Sequence, residues 1–280
     1  MMDGLLAPDA LRGRRLAIST SDSVDLDRLG LREAHFRIAV LEMARAVLHG
    51  GGTLAYGGHL KEDGYTPILI DEARRHGRPD ERPLRLFLAW SVHRGHSLEE
   101  ITKAVDTLGG YGEIVFLDVD GQPVKAPDGR QGEEAMPVSD RAEIARGLTS
   151  MREVMTTESD GRLLLGGRRA GSEGRWPGLL EEAVLAVRNG QPLYPAAGFG
   201  GMTADIARVL APKAMDWLPK PDGMSAEWSD GVAALQDAVA KHGCENGLTP
   251  DEMACLAATH RPSEIASLVS LGLGRRFKAP

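Results

Sequence analysis

At 280 residues and 42% apolar content, the chain is long enough to build one large core with an appendage. Its formal net charge of -7 argues against nucleic acid as a partner, because a duplex binder needs a basic face. No run approaches bilayer-spanning length, no secretory core follows the N-terminus, and Cys244 and Cys255 lack metal-ligand spacing. The expectation is a cytosolic chain with buried free thiols, no metal, no cofactor and no membrane contact.

Arg15-Leu16-Ala17-Ile18-Ser19 is short, apolar and β-capable, and it runs into the hydroxyl and carboxylate cluster Thr20-Ser21-Asp22-Ser23. Leu31, Ala34, Ile38, Leu41, Met43 and Val47 then fall near one-face helical spacing, up to the stop at Gly50-Gly51-Gly52. Residues 53–56 read as a second strand leading to Gly57-Gly58-His59, 67–75 as a helix, and 84–90 as a third strand. A helix over 99–108 and a strand over 113–117 follow. Residues 118–131, with Asp120-Gly121 and Pro127-Asp128-Gly129, read as an exposed hairpin or loop.

Asp140 opens a long helix through Ala145, Leu148, Met151 and Met155. Leu163-Leu164-Leu165 is the next buried strand, Gly166-Gly167-Arg168 a glycine turn carrying a cation, and a polar insert separates it from Pro177-Gly178. That pair opens a helix bearing Glu181 and Glu182. Residues 191–194 read as another strand and Gly198-Phe199-Gly200-Gly201 as a second glycine turn. From Ala211 onward, Pro212, Pro219 and Pro221 break the pattern. Short helices follow over 232–242, after Thr249-Pro250-Asp251-Glu252, and from Ser263-Glu264.

Strands that are near-continuous apolar runs and alternate with helices indicate a parallel sheet covered on both faces. The predicted fold is α/β, a Rossmann-like doubly wound mostly parallel sheet over residues 1–210, with a small helical C-terminal extension over 211–280. In such folds ligands gather at the carboxyl ends of the strands, near the switch in strand order. The clusters Ser19-Thr20-Ser21, Gly57-Gly58-His59, Gly166-Gly167-Arg168 and Gly198-Phe199-Gly200 all fall at such ends.

Each element has two readings. Gly166-Gly167 either merely turns the chain or lets a phosphate approach the backbone, with Arg168 as a surface charge or as its charge-assisted donor. Pro177-Gly178 places a helix N-terminus, which attracts anions, across the same gap. Acidic residues near a helix start need no function beyond the macrodipole. Of Glu181 and Glu182, one is expected to face solvent and the other the strand ends and a ligand's ribose. Ser19-Thr20-Ser21 is a cap cluster or a ribose and phosphate contact, and His59 a structural polar group or a ligand contact. Arg152 belongs to a salt-bridged face or reaches the site. Trp90 is expected to be buried, and His93 and His96 have no acid cluster that would make them metal ligands. No Walker loop, no G-x-G-x-x-G after the first strand and no G-x-S-x-G elbow is present.

The strand, glycine turn, insert and Pro177-Gly178-x-x-Glu181-Glu182 segment resembles the lysine-decarboxylase-like proteins of the lonely-guy type and, more broadly, the SLOG superfamily. That group joins nucleotide hydrolases of the lonely-guy type, the DNA-processing protein A core, and nucleotide-sensing domains beside TIR or sirtuin-like effectors in bacterial defence systems. The lonely-guy pattern is P-G-G-x-G-T-x-x-E. Gly166-Gly167 stand for its first glycines, Gly178 for the later one and Glu182 for the glutamate. Met151-Arg152-Glu153-Val154-Met155 leads into the key strand as an arginine-bearing helix does there. The departures are Leu165 for the proline, Leu179 for the threonine, an arginine offset by about one residue, and the insert 168–177.

The resemblance implies a nucleotide or NAD-derived ligand, such as an ADP-ribose derivative, a homo-oligomer, and a sensor working through an effector protein. The alternative it implies is a nucleotide N-glycosidic hydrolase, a phosphoribohydrolase with Glu182 and Arg152 catalytic. A third reading is an adaptor that docks a partner and has a vestigial pocket.

Overall fold

The computed structural model describes residues 7–125, 134–221 and 224–277; the Pro127-Asp128-Gly129 part of the expected loop lies outside them. Seven strands form one sheet: β1 (Arg15–Ser21), β2 (Thr53–Gly57), β3 (Leu84–Leu88), β4 (Gly112–Leu117), β5 (Pro123–Val124), β6 (Gly161–Gly166) and β7 (Leu193–Ala196). Their order is β5-β4-β3-β2-β1-β6-β7. All pairings are parallel except β4 with the two-residue β5. The chain winds outward from β1 to β4 and then returns to β6 on the other side of β1. This puts the switch in strand order between the carboxyl ends of β1 and β6, where Ser21 is opposite Gly166.

Period-two alternation divides β1 and β6 between the two faces. Leu16, Ile18, Leu163 and Leu165 enter one core with α1 (Glu33–His49), α2 (Tyr65–His76) and α10 (Pro262–Arg276). Ala17 and Leu164 turn to the opposite face, beneath α5 (Arg141–Thr157) and α6 (Gly178–Arg188). From the same strands Ser19 and Arg162 also turn to that second face, and both are buried.

The remaining helices are α3 (Trp90–Arg94), α4 (Leu98–Leu108), α7 (Gly201–Leu210), α8 (Ala226–His242) and α9 (Pro250–Ala258). The helices after residue 210 pack on both faces: α10 against α1, and α8 against α6. Asp140 caps α5 through Ala142 N–H at 2.8 Å, and Thr249 with Glu252 forms a reciprocal capping box on α9.

Five local expectations change. The third strand stops at Leu88, because Ala89 caps the short α3; Trp90 is only half-buried, and its indole N–H is satisfied at the surface by Glu143, 2.5 Å away. The second glycine turn opens α7. The last helix begins at Pro262, ahead of Ser263, since proline sits well in a first turn. Both cysteines are free but partly exposed.

Candidate functional site at the carboxyl ends of β1 and β6

The glycine turn is built into the sheet. Gly166 and Gly167 have φ of 64° and 100°, which disfavours any side chain. A Cβ on Gly166 would stand 2.6 Å from the Ser21 carbonyl oxygen, and one on Gly167 would stand 2.8 Å from Met202 Cβ. Gly167 N–H donates to Ser21 O at 3.0 Å, and Arg168 N–H donates to Ser21 Oγ at 3.2 Å. Ser21, Gly166, Gly167 and Arg168 are therefore brought together, with the turn's amides directed at β1. The Arg168 side chain is exposed and bound to Asp22, with Nε 3.1 Å from Oδ2.

Beneath the insert lies a buried charged cluster. Arg162 is 0% exposed. Its Nη1 donates to Ser19 Oγ and to Glu182 Oε2, both at 2.7 Å, and its Nη2 donates to Thr156 Oγ1 at 2.9 Å. Gln191 Oε1 accepts from Arg162 Nε at 3.3 Å. Burial pulls the Arg162 guanidinium below its ordinary pKa, and the Glu182 charge and hydrogen bond oppose that shift.

Arg152, on α5, bonds Glu181 and holds Nε 3.6 Å from Glu182 Oε1. Thr149 Oγ1 donates to Glu181 Oε1 at 2.6 Å. Both glutamates are buried, so the expectation that one faces solvent is corrected: two arginines and a threonine supply the partners that make burial of two adjacent carboxylates tolerable. Glu182, Ser19 and Arg152 thus form one cluster, with Arg162 as its unforeseen centre. A charged residue directly ahead of an apolar strand run is the signal that could have found it.

The insert and the start of α6 pack closely against this cluster. A Cβ on Gly174 would stand 2.8 Å from Arg152 Nη1, and one on Gly178 would stand 2.9 Å from Arg152 Nη2. Arg152 Nε has no hydrogen-bond partner. Pro177 opens α6, and its carbonyl accepts from Leu180 and Glu181 N–H at 2.9 and 3.0 Å. A groove of about 480 Å³ runs along the insert, bordered by Arg141, Ala145, Ser172, Gly174, Pro177 and Ser225.

The other sequence-marked residues lie apart from the cluster. Thr20 turns to the opposite face beside the Tyr65 phenol, whose pKa burial pushes up to about 12. Gly57 backs onto Met151, and a Cβ on Gly58 would stand 2.1 Å from the Tyr56 ring, so both glycines serve packing. His59 is half-buried and begins a loop that borders a second cavity, about 580 Å³, between α2 and α4. Burial, then Lys61, lowers the pKa of its imidazole.

The second glycine turn is filled by the chain itself. Gly198 lies against the Thr259 carbonyl, the buried Phe199 ring meets Phe36 edge-on at 5.3 Å, and Gly200 lies against the Asp25 carboxylate. Asp25 also accepts from Gly201 N–H at 2.7 Å and pairs with Arg169 at 2.9 Å. Burial opposes the Arg169 charge, but the hydrogen bond and charge of Asp205, helped by Asp25, outweigh it and raise its pKa. Asp25 and Asp205, unmarked in the sequence, are tied to the glycine turns by contacts that span 36 to 176 residues.

Among the described residues no group of three or more His, Cys, Asp or Glu is placed to hold a metal ion, and no helix is long and apolar enough to cross a membrane. A parallel doubly wound sheet with its crevice at the β1/β6 switch defines a Rossmann-like protein of the α/β class. The family model described as SLOG cluster2 matches residues 10–254. The chain belongs to that family, which at superfamily level makes it a Rossmann-like nucleotide-binding protein. Neither curated proteins nor solved structures give a match.

Proposed function

We propose that the chain binds a nucleotide or NAD-derived ligand, of the ADP-ribose kind, at the carboxyl ends of β1 and β6, and holds it intact as a sensor. Arg168 and the start of α6 face the phosphates, and the Arg152, Glu181 and Glu182 cluster faces the ribose. The observation that carries the choice of binding over cleavage is the double pairing of Glu182. One of its oxygens lies 2.7 Å from Arg162 and the other 3.6 Å from Arg152. A carboxylate that assists glycosidic cleavage must be free to sit against the sugar as charge develops there. Glu182 is instead tied to two guanidinium groups and suits fixed positioning of Arg152. A sensor of this kind signals through a separate effector protein or through association of its own copies.

The test is mass spectrometry of the purified protein after incubation with nucleoside monophosphates, NAD, ADP-ribose and cyclic ADP-ribose isomers. Wild type, Arg152→Gln and Glu182→Gln are compared, with melting curves to confirm folding. The expected result is an intact ligand retained by wild type and lost by at least tenfold in Arg152→Gln. Free base from wild type that disappears in Glu182→Gln would instead make the protein a hydrolase. Absence of any binding would leave only the adaptor reading.

A further inference from the structure

The mouth of the β1/β6 crevice is bridged by the chain's own charges. Arg168 leaves the end of β6 and Asp22 leaves the end of β1, and their side chains meet with 64% and 70% exposure. Asp22 Oδ2 accepts from both Nε, at 3.1 Å, and Nη2 of Arg168. Arg168 N–H meanwhile donates to Ser21 Oγ, which fixes the residue's backbone against β1. The next residue repeats the arrangement at depth. Arg169 is held by Asp25, whose carboxylate also accepts a backbone N–H of α7. Two consecutive arginines at this switch point are therefore each occupied by an aspartate of the loop that follows β1.

The two pairs differ in what they do for the fold. Asp25 and Arg169 are buried, and Arg169 has a further carboxylate in Asp205. Removing either would leave a buried charge short of partners. Asp22 and Arg168 are in water, where an ion pair contributes little to stability. Stability thus gives no strong reason for Asp22 to stand there. Its position does have a consequence for binding: the guanidinium that would meet an incoming anion is already engaged.

Resting on the reading that an anionic nucleotide binds in this crevice, we propose that Asp22 is a built-in competitor for Arg168, setting the affinity of the site by occupying its phosphate donor. A ligand phosphate must displace the Asp22 carboxylate before it gains the Arg168 fork. Apparent affinity is then reduced by the fraction of molecules in which Arg168 is free. A phosphate wins this exchange because it offers more charge and more acceptor oxygens than a carboxylate.

Titration calorimetry with ADP-ribose, and separately with inorganic pyrophosphate, tests this on the full chain at low salt. The variants are Asp22→Asn, Arg168→Ala and the double variant. An exposed pair of this kind corresponds to about a two- to fivefold tightening in Asp22→Asn. Arg168→Ala is expected to weaken binding, and Asp22→Asn in the Arg168→Ala background to change nothing. The tightening is expected to shrink in high salt, where exposed charges are screened.

Equal affinity of wild type and Asp22→Asn would overturn the proposal. If Arg152→Gln still abolished binding in that case, the nucleotide-binding reading would stand alone. Tightening that persists in the Arg168→Ala background would show plain repulsion by Asp22 and would also overturn competition for Arg168. Binding by Asp22→Asn where wild type shows none would support it strongly. No binding by either protein would sink both readings together.

Discussion

The two faces of the central sheet solve the same packing problem with opposite chemistry. On one face, Leu16, Ile18, Leu163 and Leu165 of β1 and β6 meet the apolar sides of α1 and α10. On the other, a single residue away in each strand, Ser19 and Arg162 join Glu182, Gln191 and Thr156. The first face is held by dispersion and water exclusion, which tolerate replacement by apolar side chains of similar volume. The second packs Ala17 and Leu164 under α5 and α6 and adds charges that are tolerable only as a complete set. The difference marks where the fold accepts costly chemistry, and the costly face is the one behind the switch in strand order.

Removing one member from each face sharpens this contrast. Arg162→Ala strands the Glu182 carboxylate beside Arg152 alone and is expected to cost about 3–5 kcal/mol in urea unfolding. Much of that loss is expected to return in the double variant Arg162→Met/Glu182→Gln, which removes both charges. Leu163→Ala, on the apolar face, is expected to cost about 2–5 kcal/mol. Glu182→Gln offers it no rescue, and nucleotide binding by the folded fraction is expected to persist. If Glu182→Gln fails to rescue Arg162, the polar face is held by packing as well, and the contrast dissolves.

Ser19→Ala probes the same cluster more gently. It deletes one neutral acceptor from a guanidinium that keeps Glu182 and Thr156. A hydrogen bond to a charged group of this kind is expected to cost about 1.5–3 kcal/mol, read from the urea midpoint. A loss below that range would mean that Arg162 relaxes onto its other partners.

The apolar face was legible in the sequence, and the polar face only in part. Leu84, Leu86, Phe87 and Leu88, or Leu163 to Leu165, declare buried strands because the runs are nearly all apolar, as a two-sided parallel sheet requires. Asp140 and Thr249 announce their helices through local capping chemistry. Helices α3 and α7 carry no such signal: they open on Ala89 and Gly200, and neither supplies a capping side chain.

The pairing of Arg152 with Glu181 and Glu182 could be anticipated only through the family resemblance, since 29 residues separate Arg152 from Glu181. Glycines were the least decisive signal. Their ability to admit a close neighbour is the same whether the neighbour is a ligand or the chain, and at Gly198 and Gly200 it is Thr259 and Asp25.

The smallest expected effect lies outside both clusters, at His59. Its Nδ1 is buried without a partner, and burial followed by the Lys61 charge lowers its pKa. The folded chain therefore binds this proton less readily than the unfolded chain, whose histidine titrates near about 6.5. Stability contributed by the neutral imidazole is fully present above that value and is lost as pH falls toward the lower folded value. His59 is half-exposed, so screening keeps the effect small. Between about pH 7.5 and 5.5, wild type is expected to lose roughly 1 °C more in melting temperature than His59→Gln. An equal acid loss in the two proteins would place the sensitivity elsewhere. A larger one in His59→Gln would mean that His59 is protonated and paired in the fold, reversing the sign argued from its burial.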